Sequence, residues 1–397
     1  MRRTLVITAD PAWPPISGAD LRNWQNAATL ARLGPVILAS VHPARADAPK
    51  PPPEVSVVAL TEAGEKRGPA LTINGTSIDV VIPESALARL LAIVAASPPD
   101  AILIEGIGLF PVVAAMRPMA PLLILDMHNV QSDLVRQTAS NSLIRRMLGG
   151  PGRDATRIRA LELSAAQTVD RLWVCSEQDE ERLHGFVTGN VPISIVPNGV
   201  PRAEAIPPAL GPAPPASGDW PIILFVGHLN YRPNVIGVKR LANAILPKLR
   251  LDLPHVSLVV AGRRPSSKLA RLAVTARFKL IANPVDTESL LAKAHVTVIP
   301  LTVGGGTRLK ILEAMSRGVP VVATRLAVEG LGVVDGVHAL IADTSSGMVD
   351  GVRALCADPE YRDRIRVAAH RFAMDRFGPR AIEQAVHAGI SLCLPIE

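Results

Sequence analysis

Short apolar runs without alternation recur along the chain, each followed by a longer stretch of helical period. In the first half they are "TLVITA" (4–9), "PVILASV" (35–41), "VSVVAL" (55–60), "AILIEG" (101–106), "LLILDMH" (122–128), "RLWVCS" (171–176) and "ISIVPN" (193–198). In the second half they are "IILFVG" (222–227), "VSLVVAG" (256–262), "KLIAN" (279–283), "VTVIPL" (296–301) and "PVVAT" (320–324). A strand that faces water on one side must alternate polar and apolar residues. Continuous apolar runs instead predict parallel sheets covered by helices on both faces. Strand followed by helix in this rhythm is the mark of an α/β fold. Between the halves lies "VPRAEAIPPALGPAPPASGDWP" (200–221), rich in Pro, Ala and Gly and without period, which suits a linker and no core element. The expectation is therefore two Rossmann-like, doubly wound parallel-sheet domains, over 1–200 and 221–377, joined by a linker at 201–220.

At 397 residues one core is too few. With 48% hydrophobic and 19% charged residues the composition is globular. The three cysteines, Cys175, Cys356 and Cys393, have neither metal-like spacing nor a disulfide framework, which makes a reducing cytoplasm the expected compartment. "MRRTLVITADPAWPP" has too short an apolar run for a signal segment, and nowhere do about 18 apolar residues run together as a spanning helix would need. The formal charge of +7 permits an anionic partner. With 3% aromatics and no helix-turn-helix, zinc-finger or RRM signature, nucleic acid is not the expected one.

In open parallel sheets, ligands bind beyond the carboxyl ends of strands. At one such end stands "LTVGGGTRLKILEAMSRGVPVVAT" (301–324), a strand end, three glycines, and a helix closed by Gly318 and Pro320. Glycines let backbone N–H groups approach a ligand, and a helix N-terminus adds orphan donors and partial positive charge. Arg308 and Lys310 add full charges, so the spot favours a phosphate. It is not a Walker A loop, because Leu309 precedes and Ile311 follows the lysine, nor a dinucleotide fingerprint, because Leu309 stands where the third glycine belongs. Glu313 shares a helix face with Lys310 and leans back toward the glycines, its Cα roughly 10 Å along the axis at about 1.5 Å per residue. That span suits a diphosphate at the helix tip and a ribose diol clamped by the carboxylate. Spacing alone favours instead a solvated ion pair of Glu313 with Lys310 or Arg317.

These residues resemble a known family. "PLTVGGGTRLKILEAMSRGVPVVATRLAVEGL" is similar to the donor segment of GT-B glycosyltransferases of the retaining family four, in its GGGTRLKILEAM form. "PPISGADLR" (14–22), "LDMHN" (125–129), "VCSEQD" (174–179), "IVPNGV" (195–200), "FVGHLNYRPN" (225–234), "VVAGRRP" (259–265) and "NPVDT" (283–287) match in the same order. The resemblance implies an acceptor-side first domain, a donor-binding second domain, and a last helix, about 378–397, packing back on the first. It implies a nucleotide diphospho-sugar donor, UDP- or GDP-linked, and no metal or other cofactor, with a glycan or lipid-linked acceptor. By residue, it assigns donor binding to Gly18, Gly227, Arg263, Val285, Gly305, Gly306, Thr307 and Glu313, catalysis to His128, Arg308 and Lys310, and the acceptor side to Arg22 and Asn129. Two departures stand out: Gly305 replaces the first of the family's paired glutamates, and His228 replaces the arginine that usually follows Gly227. Arg308 and Lys310, with Arg263 or Arg232, are then expected to meet the diphosphate charge.

Asp126 is expected to orient His128, and the two alone are too few for a metal site. Glu105 and Glu329 also fall at strand ends, as groups with no assigned task. No Gly-x-Ser-x-Gly elbow or reactive cysteine context appears. The Arg-rich "NSLIRRMLGGPGRDATRIRALEL" (141–163) is either a solvated helix face or a peripheral contact with an anionic membrane, at the inner face for a cytoplasmic protein. The expectation is a retaining, hexosyl-type glycosyltransferase of polysaccharide, glycolipid or glycoprotein synthesis. Its alternatives are a non-catalytic nucleotide-sugar-binding partner subunit and a GT-B nucleotide-sugar epimerase.

Overall fold

The computed structural model describes residues 3–44, 47–62, 65, 72–73, 76–77, 82–140, 150–187, 189–201, 220–304 and 309–391, with side chains described only outside 72–73, 76–77, 137–140 and 150–154. The chain divides into two compact units, one of residues 1–198 with 382–397 and one of residues 199–381.

The first unit is built on seven strands, β1 (Thr4–Thr8), β2 (Val36–Ser40), β3 (Val55–Ala59), β4 (Ala101–Glu105), β5 (Leu123–Met127), β6 (Arg171–Val174) and β7 (Ile193–Ile195). They lie side by side in the order β3-β2-β1-β4-β5-β6-β7, every pair parallel. All seven apolar runs of the first half became these strands. β1, β4 and β5 are buried along their whole length, which is why their sequences do not alternate. The order reverses at β1, whose two neighbours β2 and β4 lead their crossovers to opposite sides. A crevice opens at such a switch point, at the carboxyl ends of the strands.

The second unit repeats the plan with β8 (Ile222–Val226), β9 (Ser257–Gly262), β10 (Lys279–Ala282), β11 (Val296–Ile299), β12 (Val321–Ala323) and β13 (Leu340–Ile341), in the order β10-β9-β8-β11-β12-β13, again all parallel. The sequence pattern found five of these six. β13 was missed because two residues pair too briefly to leave a run. At the switch between β8 and β11, Gly227 and Gly262 end adjacent strands. A Cβ on Gly262 would stand 1.7 Å from the Gly227 carbonyl oxygen, so this approach needs the hydrogen atom that only glycine has.

The last described helix, Pro379–Ser391, belongs with the first unit from Ile382 onward. Its Ile382, Val386 and Ile390 join a core with Trp173, Val196, Leu103 and Ile124. Each is worth about 1.5–3 kcal/mol as area removed from water, an upper value because an unfolded chain already covers some of it. The Trp173 ring lies against Gly389, whose carbonyl accepts the indole N–H at 3.4 Å.

Candidate functional site

In the first unit the polar groups gather at the β1/β4/β5 crevice. The helix Gly18–Leu30 begins on a capping box: Ser17 Oγ accepts from the Asp20 amide at 3.1 Å, and Asp20 Oδ2 accepts from the Ser17 amide at 2.8 Å. Burial raises the Asp20 carboxyl above its ordinary range, against these hydrogen bonds. Gly18 is the first residue of that helix, at the surface. One turn on, Arg22, Asn23 and Asn26 occupy the face turned to the sheet, where a helix ordinarily carries apolar residues.

Arg22 is 2% exposed, and its guanidinium grips Asp126 with Nε and Nη2 at 2.6 and 2.7 Å while Nη1 reaches Asn198 Oδ1 at 3.2 Å. Its charge and three of its N–H donors are thus engaged inside the unit. Arg22 in turn lowers the Asp126 carboxyl below its ordinary range, overcoming the burial that pushes the other way. Asn26 Nδ2 ties the cluster together, donating to Asp126 Oδ2 at 3.1 Å and to Glu105 Oε1 at 3.0 Å.

His128 stands just past β5, and Asn129 beside it borders the same cavity. The ring is held otherwise than expected. Its Nε2 lies 3.1 Å from Glu105 Oε2 but 3.8 Å from Asp126 Oδ2, because Arg22 has already claimed the aspartate. With its amide nitrogen turned to them, Asn23 is 3.1 Å from both His128 Nε2 and Glu105 Oε2. Glu105, Asp126 and His128 have ligand atoms within 4.8 Å of one another, so the fold supplies the third group that the sequence lacked. The cation they serve is nevertheless the guanidinium, which occupies both Asp126 oxygens.

The second unit gathers its groups at the β8/β11 switch. Gly227 ends β8, and a Cβ there would stand 2.8 Å from Asn234 Nδ2 and 3.1 Å from Lys310 Nζ. Asn234 Nδ2 donates to the His228 carbonyl at 3.0 Å, and its Oδ1 accepts from Lys310 Nζ. The ammonium also sits 4.8 Å over the Phe225 ring. His228 is held below its ordinary range by burial and by Arg264 and Arg263. Arg263 and Arg232 are exposed, and Val285 is wholly so.

Glu313 lies in the helix Leu309–Ser316, 9% exposed. The ion pair with Lys310 or Arg317 that spacing allowed is not the contact the fold makes. Thr287 Oγ1, past β10, donates to Glu313 Oε1 at 2.6 Å, a neutral partner that orients the carboxylate without cancelling its charge. Gly305, Gly306, Thr307 and Arg308 lie outside the described residues, as do 202–219 of the linker, Cys393, and Arg145 and Arg146 of the Arg-rich segment. Of that segment's other arginines, Arg159 turns inward, over the Phe186 ring at 4.2 Å and 3.4 Å from Asp133. It does not present a free charge to a membrane. No helix among the described residues is long and apolar enough to cross one.

Sequence reasoning left Asn23, Asn26, Asn234 and Thr287 unassigned. Three polar residues on the buried face of the helix Gly18–Leu30 were a readable signal; Thr287 closes the matched "NPVDT", but only the fold brings the segment after β10 to Glu313.

Residues 17–199 match the model of the glycosyl transferase 4-like domain, and residues 220–358 that of glycosyl transferases group 1. Over 129 residues the chain is 29% identical to an uncharacterised 44.6 kDa protein of the cps region of Klebsiella pneumoniae, a match spanning 30% of this chain and 33% of that one. Among solved structures, sucrose-phosphate synthase from Thermosynechococcus elongatus superimposes with a TM-score of 0.72 at 16% identity, over 98% of either chain. WaaG, a glycosyltransferase of lipopolysaccharide biosynthesis, gives 0.69 at 13% over 97% of this chain and 99% of its own. Anabaena HepE in complex with UDP-glucose gives 0.67 at 14%, over 99% and 100%. At these identities the likeness speaks for the fold, which is GT-B. With the two family models matching one unit each, the chain belongs to the glycosyl transferases of the 4-like and group 1 type.

Proposed function

We propose that the protein transfers a sugar, with retention and without a metal, from a nucleotide diphospho-sugar to a hydroxyl of a glycan or lipid-linked acceptor. The observation that carries the reading is Glu313: a nearly buried carboxylate, oriented by Thr287, on a helix that begins beyond the switch point of a parallel sheet. A carboxylate held so accepts from the two hydroxyls of a ribose. Lys310, one turn nearer the helix start, and Arg308 meet the diphosphate, while Gly227, Gly305, Gly306 and Thr307 let its oxygens approach backbone. Arg263 and Val285, exposed at the same edge, face the diphosphate and the base. The solved complexes of Anabaena HepE with UDP and with UDP-glucose favour UDP over GDP as the carrier.

In the transfer, the bond from the anomeric carbon to the diphosphate breaks and its electron pair leaves with the phosphate. The acceptor oxygen bonds to that carbon from the same face, and its proton passes to the departing diphosphate. The protein's share is to stabilise negative charge on the leaving group with fixed N–H groups and cations, and His128 steadies the sugar. Calorimetric titration with UDP, GDP and ADP, then with their sugar conjugates, tests this on wild type and Glu313→Ala. Selective binding of one nucleotide, weakened in the variant, is expected; a folded wild type that binds none of them refutes the assignment.

A further inference from the structure

The crevice of the first unit is a cavity of about 410 Å³ bordered by Asp10, Asp20, Asn23, Glu105, His128 and Gln131. Glu105 differs from the rest. Its side chain has no exposure, whereas that of His128 keeps 22%, so Glu105 meets a ligand only through the imidazole. Each of its oxygens is engaged, Oε1 by Asn26 Nδ2 at 3.0 Å and Oε2 by His128 Nε2 at 3.1 Å, with the Asn23 amide nitrogen 3.1 Å from both Oε2 and Nε2. With Nε2 turned inward, Nδ1 is the ring nitrogen left for the cavity.

Burial and the neighbouring Asp126 carboxylate push the Glu105 carboxyl up to about 7, against the pull of His128. Asp126 stays ionised because Arg22 holds it, and Cys175 adjoins Arg22 from the end of β6. The other titratable groups bordering the cavity are Asp10, after β1, and Asp20, on the helix Gly18–Leu30. Glu105 is thus the carboxyl of this cluster that ionises near neutral pH, with His128 Nε2 3.1 Å from it.

We propose that Glu105 is the positioning residue for His128, deciding which ring nitrogen carries the proton and so whether the cavity offers its ligand a donor or an acceptor. With Glu105 protonated, its O–H donates to Nε2, and the ring carries its hydrogen on Nδ1. With Glu105 ionised, Nε2–H donates to the carboxylate, and a neutral ring turns the Nδ1 lone pair to the cavity. Passing from the first state to the second releases one proton to water. A sugar hydroxyl, donor and acceptor at once, can answer either state. The tautomer stands apart from what the protein transfers; only its effect on turnover rests on the glycosyl-transfer reading.

Long-range proton–nitrogen spectra of the full chain labelled with ¹⁵N-histidine report the protonation of each ring nitrogen. His128 is identified by the signals missing in His128→Gln, and the exposed His184 serves as reference. In wild type the His128 signals are expected to pass from the Nδ1–H to the Nε2–H form as Glu105 ionises, at about 7. In Glu105→Gln, which keeps the shape and loses the ionisation, that passage is lost while circular dichroism is unchanged. A His128 that behaves alike in wild type and Glu105→Gln overturns the proposal. If the variant does not fold, wild type decides: a His128 that follows the His184 curve overturns it, and one that exchanges tautomers on a curve of its own supports it. Donor turnover supplies the second readout, with kcat losing its inflection near neutral pH in Glu105→Gln and KM held. UDP calorimetry on the same samples separates the two ideas, because a failure to bind UDP removes the transfer reading and leaves the tautomer result standing.

Discussion

Replacing Arg22 by methionine is expected to destabilise the first unit by about 3–5 kcal/mol at neutral pH. Arg22 is 2% exposed and Asp126 wholly buried, so neither charge has water to fall back on. The variant loses two charge-assisted hydrogen bonds, at 2.6 and 2.7 Å, each worth about 1.5–3 kcal/mol. It also leaves a carboxylate inside the unit with the Asn26 amide, His128 and the Glu105 carboxyl as its neighbours. The sign of the pH dependence follows. In wild type the Asp126 carboxyl is depressed, so its contribution is fully present above the unfolded value of 3.8 and is lost as pH falls through the folded one. In the variant burial loses its main opponent, with only His128 and the Glu105 hydrogen bond left pulling downward, so the carboxyl rises above its wild-type position. The damage is therefore largest at high pH and shrinks as acid protonates it. Urea unfolding followed by tryptophan fluorescence at pH 5 and pH 8 measures both quantities, Trp173 lying in the affected core. The double variant Arg22→Met/Asp126→Leu, having no charge left to strand, should recover much of the loss. A single-variant loss below about 1 kcal/mol, the scale of a surface pair, or an equal loss at both pH values, refutes the reasoning.

Gly262→Ala places a Cβ 1.7 Å from the Gly227 carbonyl oxygen, backbone that cannot step aside, so the second unit should lose more than about 3 kcal/mol and appear as insoluble or low-melting protein. Gly389→Val drives a branched side chain into Trp173, whose ring is already 2.9 Å from an ideal Cβ; release of the last helix should show as a red-shifted tryptophan emission and early proteolytic loss of the C-terminus. Thr287→Val removes the hydroxyl that donates to Glu313 Oε1, and nucleotide binding should weaken about tenfold, the low end of one charge-assisted hydrogen bond's worth, with a small fall in melting temperature. An unchanged affinity there would separate Thr287 from the proposed ribose site.

The parallel-sheet architecture was legible in the sequence because burial on both faces writes itself as unbroken apolar runs. Seven such runs of the first half became β1 to β7, and the two-residue strands, β13 and the antiparallel pair Thr72–Ile73 and Thr76–Ser77, were too short to read. The expectation of an anion site over 301–313 rests on equally local features, since glycines, helix start and lysine are neighbours in the chain. The partners of charged groups were not local. Asp126 stands two residues from His128, which made it the natural orienting group on paper; the fold gives it to Arg22, 104 positions away, and gives His128 to Glu105 from the adjacent strand. Glu313 has Lys310 three residues before it, yet is held by Thr287, 26 positions upstream. The physical reason is the same in both cases. Periodicity reports which face of an element avoids water, a property of one segment, whereas a hydrogen bond needs two atoms about 3 Å apart, and in a parallel sheet only tertiary pairing sets which strand ends meet.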